Sequence, residues 1–336
     1  MRIALDAMGG DKAPGVNVLG AKAALEKSSK LEKIFLVGDK TPLATRCREA
    51  GLDDPRLEIV HAPDVVGMAE SGAKALRRKK QSSIAVATDL VKSGKAQAVV
   101  SAGNTGAAVA AATVKLRLLK GVERAGIASG MPNEHGICNI LDAGANPEAK
   151  PKHLLTYAIM GAVYAREILG REKPIVGLMS NGEEDEKGTT FTKETFVLLK
   201  HFVEQKPELF TFRGNVEGHD LFATPLDVVL CDGFTGNIVL KSCEATAKAM
   251  SKWIKEAMKA NPLRMAGAAI ASGAFKDVKQ RSSYESYGGS PLLGVNGVCI
   301  IAHGGSSALA IENALRVAGE TIQHDVNGAI EAALKW

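Results

Sequence analysis

The amino-acid sequence predicts an α/β protein, a three-layer α/β/α sandwich in which helices cover both faces of a mostly parallel sheet. Short apolar segments suited to strands alternate along the chain with polar turns and then with helical segments. This order requires crossover connections, which make neighbouring strands parallel and place helices on both faces. The composition fits a globular protein, because 46% of the residues are hydrophobic and 24% are charged.

Eight apolar segments are predicted as strands, and each runs into a turn rich in Gly, Asn, Asp or Ser. They are residues 2–5, 34–37, 57–60, 98–100, 137–141, 175–179, 228–231 and 298–302. Ligands of open α/β sheets bind at the carboxyl ends of the strands, so we expect the eight turns to meet in one cleft. The sequence shows no linker, low-complexity tract or repeat, and residues 1–336 are therefore expected to form a single domain.

Several features predict a cytoplasmic protein. The five cysteines are odd in number and widely spaced, which argues against disulfides and structural zinc. Residues 1–6 are charged at positions 2 and 6 and suit a strand better than a signal peptide. Residues 96–114 are uncharged, but the polar turn 101–106 interrupts them, so they predict a strand, a turn and a helix rather than a membrane span.

The segment at about residues 245–282 is predicted to be a basic, amphipathic helical arm. Nine Lys or Arg and only three Asp or Glu lie in residues 241–281, within a chain of net charge +5. A first helix ends at Asn261 and Pro262, and a second short helix follows at residues 265–275.

The first arm helix has an apolar face and a basic face. The residues predicted to contact a membrane or a carrier protein are Met250, Trp253, Ile254, Lys252 and Lys255. Such a helix suits anionic lipid or an acidic carrier protein. The alternative is ordinary packing in a core or a dimer interface.

Several familiar signatures are absent or weak. The sequence contains no Gly-x-Gly-x-x-Gly, P-loop or His-Glu-x-x-His motif. The segment 303–308 is a poor match to a nucleophile elbow, and Ser306 is better predicted to cap a helix that begins at Ala308. The acidic run 183–186 could bind Mg²⁺, but a solvated loop is favoured. Aromatic residues make up only 4% of the chain, which argues against nucleic-acid binding. No metal and no cofactor are predicted.

Glycine-rich turns at predicted helix starts indicate an anionic ligand. Unpaired backbone N–H groups and the positive end of the helix dipole together favour phosphate. Residues 103–106 and 233–237 fit this description, and each adds an Asn and a Thr side chain. Residues 187–190 add a lysine beside another predicted helix start.

A set of motifs then occurs in order along almost the whole chain. They are DAMGGDKAP at 6–14, SAGNTGA at 101–107, LDAGAN at 141–146, SNGEEDEKG at 180–188, GNVEG at 214–218, DVVLCDGFTGN at 227–237, GSPLLGVNG at 289–297 and HG at 303–304. Together these motifs closely resemble the bacterial phosphate acyltransferases of phospholipid synthesis. One departure is Ser290, where we expect Ala before Pro291.

The resemblance implies a fold, a reaction and a set of partners. The fold would be like that of isocitrate and isopropylmalate dehydrogenases. A long-chain acyl group would move from the thioester of acyl carrier protein to inorganic phosphate, giving an acyl phosphate. The protein would be a homodimer without cofactor, peripherally attached to the anionic inner face of the membrane. An integral glycerol-3-phosphate acyltransferase there would consume the product.

The resemblance and the residue chemistry together assign the candidate site. Phosphate is already largely dianionic near pH 7, and a thiol of pKa about 8.5 is a good leaving group, so positioning and charge stabilisation suffice. Asn104, Thr105 and the backbone of Gly106 are assigned to phosphate, assisted by the 236–237 pair, Gly236 and Asn237. Stabilisation of the oxyanion or of the phosphate charge is assigned to Lys187 and Asn181. Asp232 would orient a lysine or accept a phosphate proton, and His303 would donate a proton to sulfur.

Other functions remain open at this point. A phosphotransacetylase would use the same chemistry on a small acyl-coenzyme A. A metal-dependent hydroxyacid dehydrogenase would share the expected fold but needs convergent aspartates and a nucleotide site. A membrane scaffold would leave the thioester intact, and a serine hydrolase would need a complete triad.

Overall fold

One eleven-stranded sheet runs through the protein in the order β3-β2-β1-β4-β11-β10-β5-β6-β9-β7-β8. The computed structural model describes residues 1–282 and 288–335, so residues 283–287 and Trp336 of the expected single domain lie outside the described part. The strands are β1 Arg2–Asp6, β2 Lys33–Gly38, β3 Leu57–His61, β4 Ala98–Ser101, β5 Gly126–Asn133, β6 Gly136–Leu141, β7 Ile175–Met179, β8 Thr211–Val216, β9 Val228–Leu230, β10 Ser290–Leu293 and β11 Val298–Ile301.

Helices cover both faces of the sheet, which confirms the predicted α/β/α sandwich. They are α1 Gly15–Lys27, α2 Lys40–Glu49, α3 Gly72–Arg78, α4 Ser83–Lys92, α5 Thr105–Ala111, α6 Pro151–Leu169, α7 Thr190–Gln205, α8 Asp220–Ala223, α9 Gly233–Met258, α10 Pro262–Ile270, α11 Ser272–Ser282, α12 Ala308–Gln323 and α13 Val326–Ala333. A π-helical turn, Ala112–Leu116, follows α5 directly.

Alternation along the buried strands supplies a core on each face. In β1, Ile3 and Leu5 pack in one apolar cluster with α1, α2 and α12, whereas Ala4 packs in a second cluster with α3, α4 and α5. In β9, Val229 faces a cluster with α8 and α9, and its two neighbours face α6, α7 and α13. Strands that are apolar on both faces are typical of parallel sheets covered on both sides.

The sheet consists of two parallel blocks that run in opposite directions. Strands β1, β2, β3, β4 and β11 are mutually parallel, and so are β6, β7, β8 and β9. Three antiparallel pairs, β11 with β10, β10 with β5 and β5 with β6, reverse the direction between the blocks. The expectation that all eight turns meet in one cleft assumed that they leave the same edge of the sheet, and this assumption is wrong.

The error comes from strands that the sequence pattern did not reveal. The eight predicted strands are all present within one or two residues, but β5, β8 and β10 were not predicted. Pro132 and Pro291 lie in β5 and β10, and proline is depleted in strands.

The predicted arm is formed by the second part of α9 together with α10 and α11. Asn261 caps α10 by accepting from the Arg264 N–H, so the predicted break at Asn261 and Pro262 is confirmed. The apolar face of the arm is exposed, with Met250 at 48%, Trp253 at 60% and Ile254 at 41% of full exposure. Packing of this face into the core of its own chain is therefore excluded.

No helix in residues 1–282 and 288–335 is both long and apolar enough to cross a membrane. The uncharged stretch 96–114 instead contributes β4, a turn and α5, as predicted.

Candidate active site

The first group of turns follows β1, β4 and β11 at one edge of the sheet, around a buried carboxylate. The Ser101 hydroxyl donates a hydrogen bond of 2.7 Å to Asp6 Oδ2. Burial raises the pKa of Asp6, and the hydrogen bonds that it accepts oppose this rise. The backbone N–H of Asp11 donates to the carbonyl of Gly304 at 2.8 Å, which ties the first turn to the third. Both aspartates thus connect the turns.

Asn104 holds the turn between β4 and α5 together. Its Oδ1 accepts the Ala107 N–H at 3.0 Å and caps α5. Its Nδ2 donates to the carbonyls of Gly67, Met68 and Glu70 at 2.8 to 3.2 Å. The Asn104 side chain, predicted to bind phosphate, therefore makes structural hydrogen bonds to the backbone. Thr105 and Gly106 beside it are exposed at the start of α5.

His303 lies at the end of β11 with a defined ring orientation. The Gly305 N–H donates to Nδ1 at 3.0 Å, so the proton of the neutral ring lies on Nε2. Glu244 Oε2, from α9, is 3.6 Å from this Nε2. Burial lowers the pKa of His303, as do the charges of Lys241 and Lys248, whereas Glu244 and Asp11 raise it. The neutral, hydrogen-bond-donating ring therefore prevails near pH 7.

The structure contains no nucleophile elbow at residues 303–308. The Ser306 hydroxyl donates to the carbonyl of its own loop residue His303 at 2.6 Å rather than to the imidazole. The helix does begin at Ala308, as predicted, but its cap is Ser307, whose Oγ accepts the Ala310 N–H. The prediction that Ser306 is the cap is therefore wrong by one residue.

The second group of turns follows β6, β7 and β9 at the other edge, and Asp142 organises it. The Asp142 carboxylate accepts backbone N–H groups of Ile127, Gly144, Ala145 and Asn146 at 2.6 to 3.0 Å. Burial raises the pKa of Asp142, and these four donors oppose the rise.

The start of α9 packs directly onto this loop. A Cβ atom at Gly236 would lie 1.9 Å from the Asp142 carbonyl oxygen, so only glycine permits this approach. Asp232 caps the helix, since Oδ1 accepts the Thr235 N–H at 2.9 Å and Oδ2 accepts the Thr235 hydroxyl at 2.7 Å. Gly236 and Asp232 thus have structural contacts where ligand contacts were predicted. Asn237 is exposed beside Gly144.

The turn between β7 and α7 presents Asn181 and Lys187 to solvent. Both residues are exposed, and Thr189 caps α7, which confirms the predicted helix start. Two buried polar atoms nearby, Ser180 Oγ and Asn215 Oδ1, lack a hydrogen-bond partner within the described residues. The Asn215 amide donates to the Glu184 carbonyl at 2.8 Å, which places it under this turn. Unsatisfied buried groups are costly, so these atoms are candidates to bind a ligand here.

Helix α9 is the element that contacts both groups of turns. Asn237, Lys241, Glu244 and Lys248 recur at intervals of three or four residues and therefore share one face. Asn237 lies against Gly144 at one end of this polar stripe, and Glu244 lies against His303 toward the other. Lys241 Nζ is 3.0 Å from Glu244 Oε2. The polar stripe therefore places the Lys241 ammonium group between the two groups of turns.

Lys241 and Glu244 were not predicted as site residues from the sequence. Charge density alone places Lys241 and Lys248 in the basic segment but does not show which lysines face a turn. The spacing from Asn237 places Lys241, Glu244 and Lys248 on one face of a helix, but it does not show where along the helix this face meets the turns.

One cluster could in principle hold a metal ion. Ligand atoms of Glu183, His219 and Asp220 lie within 4.8 Å of one another. The Asp220 carboxylate already accepts hydrogen bonds from the Thr224 hydroxyl and the Glu217 N–H. His219 also lies 3.6 Å from Glu217. Glu183 is the one member of the acidic run 183–186 that joins such a cluster within the described residues.

Substitution of Gly236 by Ala is expected to reduce the free energy of unfolding by about 3 kcal/mol, because the added methyl overlaps the Asp142 backbone. Urea denaturation of the purified variant measures this change. Gly267→Ala in α10 is the control. A Cβ there meets nothing within 4 Å, so its effect should lie between zero and about 1 kcal/mol of stabilisation. Equal unfolding free energies for the two variants would show that α9 does not pack on the loop as described.

Substitution of Glu244 by Gln is expected to lower the pKa of His303 further, because it removes a negative charge that favours the imidazolium. Lys241→Met should have the opposite effect. An NMR titration of the His303 ring measures both shifts. Glu256→Gln, farther along the same helix, is the control and should leave the titration unchanged. An unaltered His303 pKa in the Glu244 variant contradicts the contact.

Comparison with known proteins identifies the family. Residues 1–329 match the model of a family described as "Fatty acid synthesis protein". The chain is 62% identical over 331 residues to the phosphate acyltransferase of Akkermansia muciniphila, an alignment that covers 98% of this chain and 95% of that protein.

Two solved structures show the fold alone. A phosphotransacetylase from Streptococcus pyogenes superposes with a TM-score of 0.62 at 16% identity, covering 96% of this chain and 94% of that one. A Salmonella typhimurium protein assigned as a 4-hydroxythreonine-4-phosphate dehydrogenase has a TM-score of 0.50 at 11% identity, covering 95% and 99%. The predicted dehydrogenase-like sandwich is thus confirmed. On the full-length family match and the sequence identity, the chain belongs to the bacterial phosphate acyltransferases.

Proposed function

We propose that this acyltransferase moves a long-chain fatty acyl group from the thioester of acyl carrier protein to inorganic phosphate. The product would be an acyl phosphate for phospholipid synthesis. The polar stripe of α9 is the observation that carries this proposal. It places Lys241 between Asn237 and the His303–Glu244 contact, beside turns that offer backbone N–H groups. A cation with converging donors suits phosphate better than it suits a neutral acceptor.

Direct attack by phosphate is favoured over an acyl-enzyme intermediate. Burial raises the pKa of all five cysteine thiols, and the pKa of Cys299 reaches about 12. Thiolate, the nucleophilic form, is therefore suppressed at each of them. Ser306, the candidate serine, is buried and bonded to a backbone carbonyl.

The reaction needs no added base. One oxygen of hydrogen phosphate forms a bond to the thioester carbonyl carbon, and the carbonyl oxygen becomes an oxyanion. Collapse of this intermediate breaks the C–S bond, and the phosphate proton ends on the departing sulfur. The products are an acyl phosphate and the free carrier thiol.

Each candidate residue has a proposed part in this sequence. Lys241, Asn237 and the backbone at Thr105 and Gly106 would bind phosphate. Lys187 and Asn181 would stabilise the phosphate charge or the oxyanion from the neighbouring turn, where Ser180 Oγ and Asn215 Oδ1 lack partners. His303 is better suited to donate a hydrogen bond from Nε2 to sulfur than to donate a proton, since its pKa is lowered. Asn104 and Asp232 would act by holding their turns.

Membrane and subunit contacts are proposed for the arm. Its exposed apolar face and the lysines Lys252 and Lys255 fit an anionic interface, where a lysine near the surface contributes about 1 kcal/mol. Peripheral binding at the inner face would deliver the acyl phosphate to an integral glycerol-3-phosphate acyltransferase. A homodimer would cover part of the same apolar face.

The experiment that tests the reaction incubates the protein with palmitoyl-acyl carrier protein, with and without inorganic phosphate, and follows thioester loss. The proposal requires loss that depends on phosphate and formation of acyl phosphate. If coenzyme A thioesters of short acids react faster and compete with the carrier substrate, the donor is instead that of a phosphotransacetylase.

Lys187→Ala and Asn181→Ala are each expected to lower turnover about 100-fold at saturating phosphate, as loss of a charge-stabilising donor does. Steady-state kinetics with palmitoyl-acyl carrier protein measures the effect. The matched control is Lys193→Ala, an exposed lysine on α7, which should leave the rate unchanged. Near-normal turnover in both site variants refutes their assigned role.

Trp253→Glu is expected to reduce co-sedimentation with anionic liposomes several-fold, because a charge replaces an apolar side chain at the lipid boundary. Val197→Glu is the control, since it makes the same kind of change at an exposed apolar residue of α7. Co-sedimentation that Trp253→Glu leaves unaltered counts against lipid binding by the arm.

A further inference from the structure

Helix α3 is fixed against the first group of turns. A Cβ atom at Gly72 would lie 2.2 Å from the Ala107 nitrogen, so the start of α3 touches the start of α5. Asn104 Nδ2 also binds the three carbonyls of the loop that precedes α3. Side chains on α3 therefore keep a fixed position relative to Thr105 and Gly106.

Four exposed basic side chains follow within seven residues. They form what we call the α3 basic cluster, Lys74, Arg77, Arg78 and Lys80. None of the four forms an ion pair with any residue in the described ranges, 1–282 and 288–335. The fifth cation of the segment, Lys79, differs, because it pairs with Glu70 and donates to the Val65 carbonyl at 2.8 Å.

Structural contacts account for the position of Lys79, but they do not account for the α3 basic cluster. Lys79 anchors the loop of residues 65–70 through its two partners. Cations near a helix C-terminus gain somewhat from the helix dipole. Four like charges on so short a segment nevertheless repel one another. The carboxylate that the charge of Arg78 reaches, Glu70, is already paired with Lys79. A surface of this kind raises the rate of encounter with an acidic partner.

We propose that the α3 basic cluster docks the carboxylate-rich face of an acyl carrier protein. This inference rests on the proposed function, in which the acyl donor is a protein that must sit beside the site. A small donor would need no such surface outside the turns. Arginine suits the task because its planar fork binds carboxylates in a bidentate manner.

The position of α3 favours it over the basic arm as the docking surface. The arm lysines Lys252 and Lys255 lie 8 and 11 residues beyond Glu244, which is about 12 and 16 Å farther along the helix. Lys252 is also 3.8 Å from Glu256. The α3 basic cluster instead begins two residues after Gly72, which touches the turn at Gly106.

The test compares a charge-reversed variant, Arg77→Glu/Arg78→Glu, with the control Lys92→Glu/Lys95→Glu. The control lysines are exposed, Lys92 as the last residue of α4 and Lys95 in the loop before β4. Each protein is assayed with octanoyl-acyl carrier protein and with octanoyl-pantetheine, a neutral donor that lacks the carrier. Binding of the unacylated carrier is measured separately by fluorescence anisotropy.

If the α3 basic cluster docks the carrier protein, activity should fall only with the carrier-protein donor. In the α3 variant, kcat/KM for octanoyl-acyl carrier protein should fall about tenfold or more, with weaker carrier binding and a flatter salt dependence. The KM for phosphate and the rate with octanoyl-pantetheine should stay unchanged, as should every parameter of the control. Arg77→Gln/Arg78→Gln, a milder change, should give a smaller loss of the same kind.

Three results overturn the inference. They are an equal loss with octanoyl-pantetheine, a raised KM for phosphate, and a loss of carrier binding in Lys252→Glu/Lys255→Glu but not in the α3 variant. Failure of the proposed function is distinguishable from these. It would appear as absence of phosphate-dependent turnover in the unaltered protein, while anisotropy still reports whether α3 binds the carrier.

Discussion

The packing of α9 on the loop after β6 is the contact on which the rest of the site depends. The Asp142 carbonyl approaches the helix so closely that only glycine fits at position 236. This contact sets the direction of a 26-residue helix whose next turns reach His303. Two groups of turns that leave from different edges of the sheet are thereby joined along one polar stripe. A shift of α9 would separate Lys241 from both groups at once.

Buried carboxylates give the turns their shape. Asp6 and Asp142 lie beneath the two groups, and each accepts several hydrogen bonds while burial raises its pKa. Asn104 and Asp232 cap the helices that leave the turns. The polar side chains that dominate the sequence motifs thus mostly hold the backbone in place. Residues that remain exposed at these turns include Thr105, Gly106, Asn181, Lys187 and Asn237.

The sequence predicted the strands and the helix starts well, because both depend on local patterns. Thr189 and Asn261 cap the helices at the expected places, and all eight apolar segments are strands. Strand direction is a tertiary property. The reversal lies in β5 and β10, where Pro132 and Pro291 weaken the apolar pattern. Which lysines face the turns was equally hidden, since Lys241 and Lys252 look alike until the axis of α9 is known.

We propose that phosphate binds on the polar stripe of α9, between the two groups of turns. A crystal structure determined with saturating orthophosphate tests it most directly. We predict a phosphate within hydrogen-bonding distance of Lys241 Nζ, lying between Asn237 and His303. An ordered phosphate held elsewhere, with only water on this stripe, would show that α9 does not bind it.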